Sequence, residues 1–275
     1  MTNLFPDTPA TISFHPAHRP GHKLKLVRTG GQKFKCDGCM EHGDGPRYRC
    51  ERETCNFDLH TCCALAPATR EHRLFPGCTF VLLPEPPPPT AAGERRICDA
   101  CGEGVHARGL VYHCSGRGDG GLGLDLHPTC ASLPARFAVG GGRVFELRKE
   151  ASRRCAECGE MRCGGGRRFW FYRSYSYADG DGEALYLHVA CLKRMQTQYG
   201  AAADVRSVQV MSSPVMEGVL RSLPPARRRA TAAGGGGGLE RFLTIVAGVI
   251  RAIIGVIFGD PTFLIELAVG AILNS

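Results

Sequence analysis

The chain has 275 residues, a net charge of +8, 43% hydrophobic residues, 36 glycines, 18 prolines and 15 cysteines. That much glycine and proline argues against one large core of regular elements, and cysteine at this density must organise part of the fold. The modest positive charge permits acidic partners without demanding nucleic acid.

The start, "MTNLFPDTPATISFHPAHRP", has no basic region followed by an apolar run. The expectation is therefore a chain that is not secreted and works in a reducing cytoplasmic or nuclear setting. Paired thiols there read as metal ligands rather than disulfides.

In chain order, the pairs "CDGC" (Cys36, Cys39), "CDAC" (Cys98, Cys101) and "CAEC" (Cys155, Cys158) recur about sixty residues apart. Each is followed by a histidine-cysteine pair: His60 and Cys63, His127 and Cys130, His188 and Cys191. A Cys-x2-Cys turn aims two sulfurs at one centre, and His-x2-Cys at the start of a short helix supplies two more ligands. Three thiolates and one imidazole close a tetrahedral zinc site with no position left for water. A redox Cys-x2-Cys has no use for the matched His-x2-Cys.

The first repeat carries a second set of candidates. His22 precedes its cysteine pair, Cys50 and Cys55 lie between the pair and His60, and His72 follows Cys63. Alternate pairs interleave as two sites: Cys36, Cys39, His60 and Cys63 in one, His22, Cys50, Cys55 and His72 in the other. Cys78 is the alternative to His72. Interleaving would staple a segment too small to fold by burial alone.

The order of ligands and the phrases "CDGC", "YRC" and "FDLHTCCA" resemble the plant cysteine/histidine-rich domain, a divergent relative of the phorbol-ester/diacylglycerol-binding zinc domain. The resemblance spans roughly residues 15 to 195. It implies small α+β zinc-stabilised modules in tandem, with short antiparallel strands and a short helix. It also implies an interaction module in plant stress or hormone signalling, without catalysis.

The chain departs from that pattern. "ERET" separates Cys50 from Cys55, the second repeat keeps Cys114 but has a glycine-rich stretch where its partner would be, and the third repeat has neither cysteine. In the third, Phe169, Trp170, Phe171, Tyr172, Tyr175 and Tyr177 fall where ligands would be and are expected to compensate by packing. The expected content is four zinc ions, two in the first repeat and one in each of the others. Cys62, Cys78, Cys114 and Cys163 are left over, with His15, His18, His42, His106 and His113. His106 or His113 could complete a partial site with Cys114. The stretch "MEHGDGPRYR" is short and lacks the Gln-Gly of lipid-binding relatives, so diacylglycerol is not expected as a ligand.

The expected domains are repeat one at 11–81, a proline-rich linker at 82–96, repeat two at 97–140 and repeat three at 141–198. An Arg/Gly-rich linker at 199–238 and a hydrophobic helical tail at 239–275 follow. In the tail, the apolar run 242–258 would reach about 25 Å as a helix, short of a ~30 Å hydrocarbon core. Arg251 shares a face with Arg241 and Thr244, opposite Phe242, Ile245 and Val249. That pattern suits a helix lying on a membrane or docking against protein.

The leading expectation is a non-enzymatic zinc adaptor for protein partners, with membrane association through the tail as an option. The alternatives are a protein-disulfide reductase-type redox protein and a single-stranded nucleic-acid binder. The latter would use the basic-aromatic stretch with Arg167, Arg168 and Trp170. Ring-type ubiquitin ligases need a further cysteine pair after the His-Cys ligands, and none is present.

Overall fold

The computed structural model describes residues 8–28, 33–44, 46–89, 95–116, 123–139, 143–161, 169–176 and 184–199. The expected tail helix, the linker from 200 to 238, Arg167 and Arg168 lie outside the described residues. Three four-stranded antiparallel sheets follow one another along the chain, and helix content is low. Among the described residues no helix is long and apolar enough to cross a membrane.

The first sheet has the order β1 (Thr11–Ile12), β2 (Leu24–Val27), β5 (Arg47–Cys50), β6 (Asp58–His60). A separate hairpin, β3 (Lys33–Lys35) with β4 (His42–Asp44), flanks the first cysteine pair. The second sheet runs β7 (Thr69–Glu71), β8 (Thr79–Leu83), β9 (Val111–Cys114), β10 (Leu124–Leu126). The third runs β11 (Arg136–Val139), β12 (Arg143–Arg148), β13 (Phe171–Ser176), β14 (Tyr186–His188). Each last strand ends on or just before the ligand histidine, and a helix starts directly after it: α1 (Thr61–Ala64), α2 (Pro128–Ala131), α3 (Val189–Tyr199).

These pairings move the expected boundaries. Strands β7 and β8 lie within 69–83 but pair with β9, so the second module starts near Pro67 and not at 97. Likewise β11 at 136–139 opens the third module's sheet. The cause is a repeated anchor. Each central strand carries a buried tyrosine whose hydroxyl needs a partner. Tyr48 donates to the Pro9 carbonyl at 2.6 Å, Tyr112 to Pro67 at 2.8 Å and Tyr172 to Pro134 at 2.8 Å. The alanine after each proline then accepts from the second strand: Leu26 to Ala10, Leu82 to Ala68, Leu147 to Ala135. A Pro-Ala dipeptide therefore marks the start of every module. The proline-rich stretch follows β8 inside module two, where Arg96 Nε donates to the Pro87 carbonyl.

Consecutive modules also dock in one repeated way. The Leu110 amide donates to the Gly38 carbonyl, and the Trp170 amide donates to the Ala100 carbonyl. Gly38 and Ala100 are the same position of successive Cys-x2-Cys turns, while Leu110 and Trp170 both sit two residues before the anchor tyrosine. Between modules one and two the fit is tight: a Cβ on Gly38 would lie 2.9 Å from the Leu110 side chain.

Candidate metal centres

Every Cys-x2-Cys turn has the same backbone. In module one the Met40 amide donates to the Cys36 carbonyl and the Cys36 amide to the Glu41 carbonyl. Gly102 and Glu103 repeat this around Cys98, and Gly159 and Glu160 repeat it around Cys155. The residue after the second cysteine has positive φ in all three: Met40 64°, Gly102 77°, Gly159 71°. This conformation folds the turn back so that both sulfurs face one point. Glycine adopts it freely, whereas methionine carries a steric cost.

The second pair of donors comes from the strand-helix junction. The backbone amides of His60, His127 and His188 each donate to the first cysteine sulfur of their module, at 3.5, 3.4 and 3.4 Å. Helices α1 and α2 have only four residues and no side-chain cap on their histidine N-caps. A helix that short does not persist on its own. Its cysteine, three residues after the histidine, ties it to the cluster.

The result is three sets, buried except for the half-buried Cys158: Cys36, Cys39, His60, Cys63; Cys98, Cys101, His127, Cys130; and Cys155, Cys158, His188, Cys191. Within each set the donor atoms lie within 4.8 Å of one another. His60 Nδ1 is 3.3 Å from Cys39 Sγ and 3.7 Å from Cys63 Sγ. His127 Nδ1 is 3.5 and 4.0 Å from Cys101 and Cys130, and His188 Nδ1 is 3.4 and 3.9 Å from Cys158 and Cys191. Sulfur and imidazole nitrogen around tetrahedral zinc, at about 2.3 and 2.0 Å from the metal, are separated by roughly 3.5 Å. The sets fit zinc in donor type, number and spacing.

Electrostatics agrees. Burial, with the adjoining Cys36 sulfur, pushes Cys39 up to about 12. Burial also acts to raise Cys36, but hydrogen bonds from Cys39 and Cys63 outweigh it and hold Cys36 well below its ordinary value. Three thiolates cannot share a buried pocket without a cation, and a divalent ion relieves that repulsion. In module two the other ring nitrogen is also placed. His127 Nε2 lies 3.3 Å from the Gly104 carbonyl, to which it donates when Nδ1 is the ligand.

A fourth set lies in module one: His18, His22, Cys50 and Cys55. Cys50 Sγ is 3.5 Å from His22 Nδ1, and Cys55 Sγ is 3.7 Å from His18 Nε2. His18 is further held by stacking on Phe57, with ring centroids 4.0 Å apart. This set is more open than the other three, with His22 and Cys55 only partly buried.

The structure corrects the expected fourth ligand. His72 is not in the cluster; it belongs to module two, where its ring stacks on Trp170 at 4.4 Å and 19°. His18 takes its place. The signal was in the repeat itself. "HPAHRPGH" and "HRLFPGC" both open on histidine and close through Pro-Gly, the second one residue shorter. The His18 amide donates to the His15 carbonyl as the Phe75 amide donates to that of His72, which equates His72 with His15 and not with any ligand. His15 Nδ1 accepts from the Ala17 amide at 3.2 Å, and His72 Nδ1 accepts from the Leu74 amide at 3.3 Å.

Two further expectations change. Cys78, the expected alternative to His72, and Cys114, expected in a partial site with His106 or His113, are bonded to each other as a disulfide. Trp170 is fully buried, against His72 and Phe75, so it cannot stack on an exposed base. Phe169, Phe171 and Tyr172 are buried as expected. Trp170, however, packs against the loop of module two rather than inside its own module. The Tyr175 side chain and Tyr177 lie outside the described residues. His106 is an exposed loop residue, and His113 Nδ1 lies 2.9 Å from Asp125 Oδ1, so neither forms a site with Cys114.

Among the described residues there are thus four Cys/His clusters, each able to hold one zinc ion, arranged in repeated strand-rich modules. A search of curated proteins and a search of solved structures find no match. Residues 16–64, which hold both clusters of module one, match the model of the C1 domain family.

Proposed function

We propose that the chain is a non-enzymatic adaptor, in which zinc sets the fold of three modules and the joined modules present one continuous surface to a protein partner. The observation that carries this reading is how the modules are joined. Lys193, on α3 of module three, makes an ion pair with Glu41 of module one and reaches Glu103 Oε2 of module two at 2.6 Å. Glu41 also accepts from the Thr129 hydroxyl of module two at 2.6 Å. Independent beads on a string would not need such a clasp. A surface spread over three modules gains from it, because ordering is then complete before binding.

Plant stress or hormone signalling is the setting this reading favours, and the apolar segment 239–275 would bring the array to a membrane surface. The four clusters each surround one point with four protein donors, which suits a folding role for the metal.

The test is capture of binding proteins from plant extract by the full chain, before and after zinc is stripped with a chelator and then restored. The adaptor reading expects a defined partner that is lost on stripping and regained on restoration. Partners that bind the stripped chain equally well would overturn it. So would vesicle binding that depends on diacylglycerol with no protein partner.

A further inference from the structure

Module two keeps the loop that carries the second cluster in module one, but with different side chains. In module one the loop runs from His15 through Pro20 and Gly21 to His22 and into β2; in module two it runs from His72 through Pro76 and Gly77 to Cys78 and into β8. Gly21 and Gly77 share positive φ, 77° and 73°. Cys78 therefore stands where module one has His22. The module-two loop is one residue shorter before Pro-Gly, and because the Phe75 amide donates to the His72 carbonyl as the His18 amide does to that of His15, Phe75 stands where module one has the ligand His18. Strand register fixes the third position: Leu26 pairs with Tyr48 and Leu82 with Tyr112, which aligns Cys114 with Cys50. Ser115 and Gly116 follow Cys114, and the counterpart of Cys55 is missing from the described residues.

Two of four donors remain, and they are the two that sit side by side in module one, where Cys50 Sγ lies 3.5 Å from His22 Nδ1. In module two the same pair of positions holds Cys78 and Cys114, buried and bonded, with Cα atoms 6.2 Å apart. That separation is within the range a disulfide spans. Two thiols alone cannot close a tetrahedral zinc site. The remaining space is filled by aromatic rings: Phe75 lies 5.6 Å from Phe80 and 5.8 Å from Trp170.

We propose that the second metal site of module two has become a dithiol/disulfide site, in which the Cys78–Cys114 bond crosslinks the loop before β8 to the end of β9 where module one uses zinc. Its reagent class is a small disulfide of the glutathione type. The Cys78 thiolate attacks one sulfur of that reagent, whose S–S bond breaks, and one glutathione thiolate leaves. The Cys114 thiolate then attacks the Cys78 sulfur of the mixed disulfide, and the second glutathione thiolate leaves. The two protons from the cysteines end on the two glutathione thiols, so the protein loses two electrons and the reagent gains two. Because both sulfurs are buried in the finished module, the bond closes as segment 69–83 docks on β9 during folding.

The experiment refolds the full chain with zinc in glutathione buffers of graded ratio, alkylates free thiols and maps peptides by mass. Native mass spectrometry counts the metal in parallel. The proposal expects Cys78 and Cys114 to pass together from alkylated to linked as the buffer becomes oxidising, with four zinc ions bound in both states. It also expects the C78A/C114A double variant to keep four zinc ions while protease cuts segment 69–116 roughly tenfold faster, since the crosslink no longer limits local opening. A fifth zinc ion lost in Cys78→Ala would overturn it, as would full alkylation of both thiols after refolding in the most oxidising buffer.

Discussion

Replacing Lys193 with methionine removes the charge that joins the three modules while keeping most of the side chain's volume. The ammonium is 15% exposed and Glu41 16%, whereas Glu103 is 39% exposed and can return to water. Glu41 therefore sets the magnitude. Burial acts to raise its carboxyl, but Lys193 first and His127 second hold it down at about 2. Without the lysine, the Glu41 carboxylate keeps the Thr129 hydroxyl, since the nearby His127 Nδ1 faces the metal cluster. Breaking one side of a buried pair costs about 3–5 kcal/mol, and partial exposure places this case near the lower end, ~3 kcal/mol. Trp170 is the only tryptophan and is fully buried between modules two and three, so its fluorescence reports unfolding of that contact. Urea titrations of wild type, Lys193→Met, Glu41→Gln and the double variant form a cycle, with zinc content checked in each. The double variant should recover much of the loss, giving a coupling of at least about 1.5 kcal/mol. A coupling below about 0.5 kcal/mol with all zinc retained would refute the clasp.

Three other outcomes follow from the same geometry. Native mass spectrometry of His18→Ala should show zinc falling from the expected four ions to three, whereas His72→Ala should keep four, since only His18 lies in a cluster; the reverse result would restore the sequence expectation. His72 is held down at about 4, by burial first and then by Arg70, Arg73 and Lys149. The unfolded chain takes up that proton below about pH 6.5 and the native chain only near 4, so the stability from neutral His72 is complete above 6.5 and is lost as pH falls towards 4. Between pH 7 and 5 wild type should lose about 2 kcal/mol more than His72→Gln at saturating zinc, and equal slopes in urea titrations would refute this. Met40 has φ 64° where the two other turns have glycine, so Met40→Gly should stabilise module one by roughly 1 kcal/mol, and a lower melting temperature would count against it.

The metal chemistry was legible because ligand geometry is local. Cys-x2-Cys and His-x2-Cys each place two donors within a few residues, so spacing alone identifies Cys36, Cys39, His60 and Cys63 and their two repeats. The second site was harder to read for the same reason. His18 and His22 reach Cys50 and Cys55 only through the pairing of β2 with β5, and sequence distance does not reveal which loop histidine points that way. His72 looked equivalent because it completed a symmetrical order of ligands. Its role, stacking on Trp170, depends on a third module that no spacing rule includes.

The misplaced boundaries have a deeper cause. A segment of this size buries too little apolar surface to hold together alone, so ligand spacing draws attention to the metal as the only organiser. The structure adds two more that leave fainter traces in the sequence. One is the tyrosine hydroxyl on each central strand, which fixes the Pro-Ala at the head of its module across 38 to 45 residues. The other is docking of each module on the cysteine turn before it, through the amides of Leu110 and Trp170. The same turn that wraps a metal therefore offers a carbonyl to the next module. Loss of one cluster's metal should then loosen the contact with its successor, and the third module, which docks on the Cys98–Cys101 turn, should depend on the zinc of the second as well as on its own.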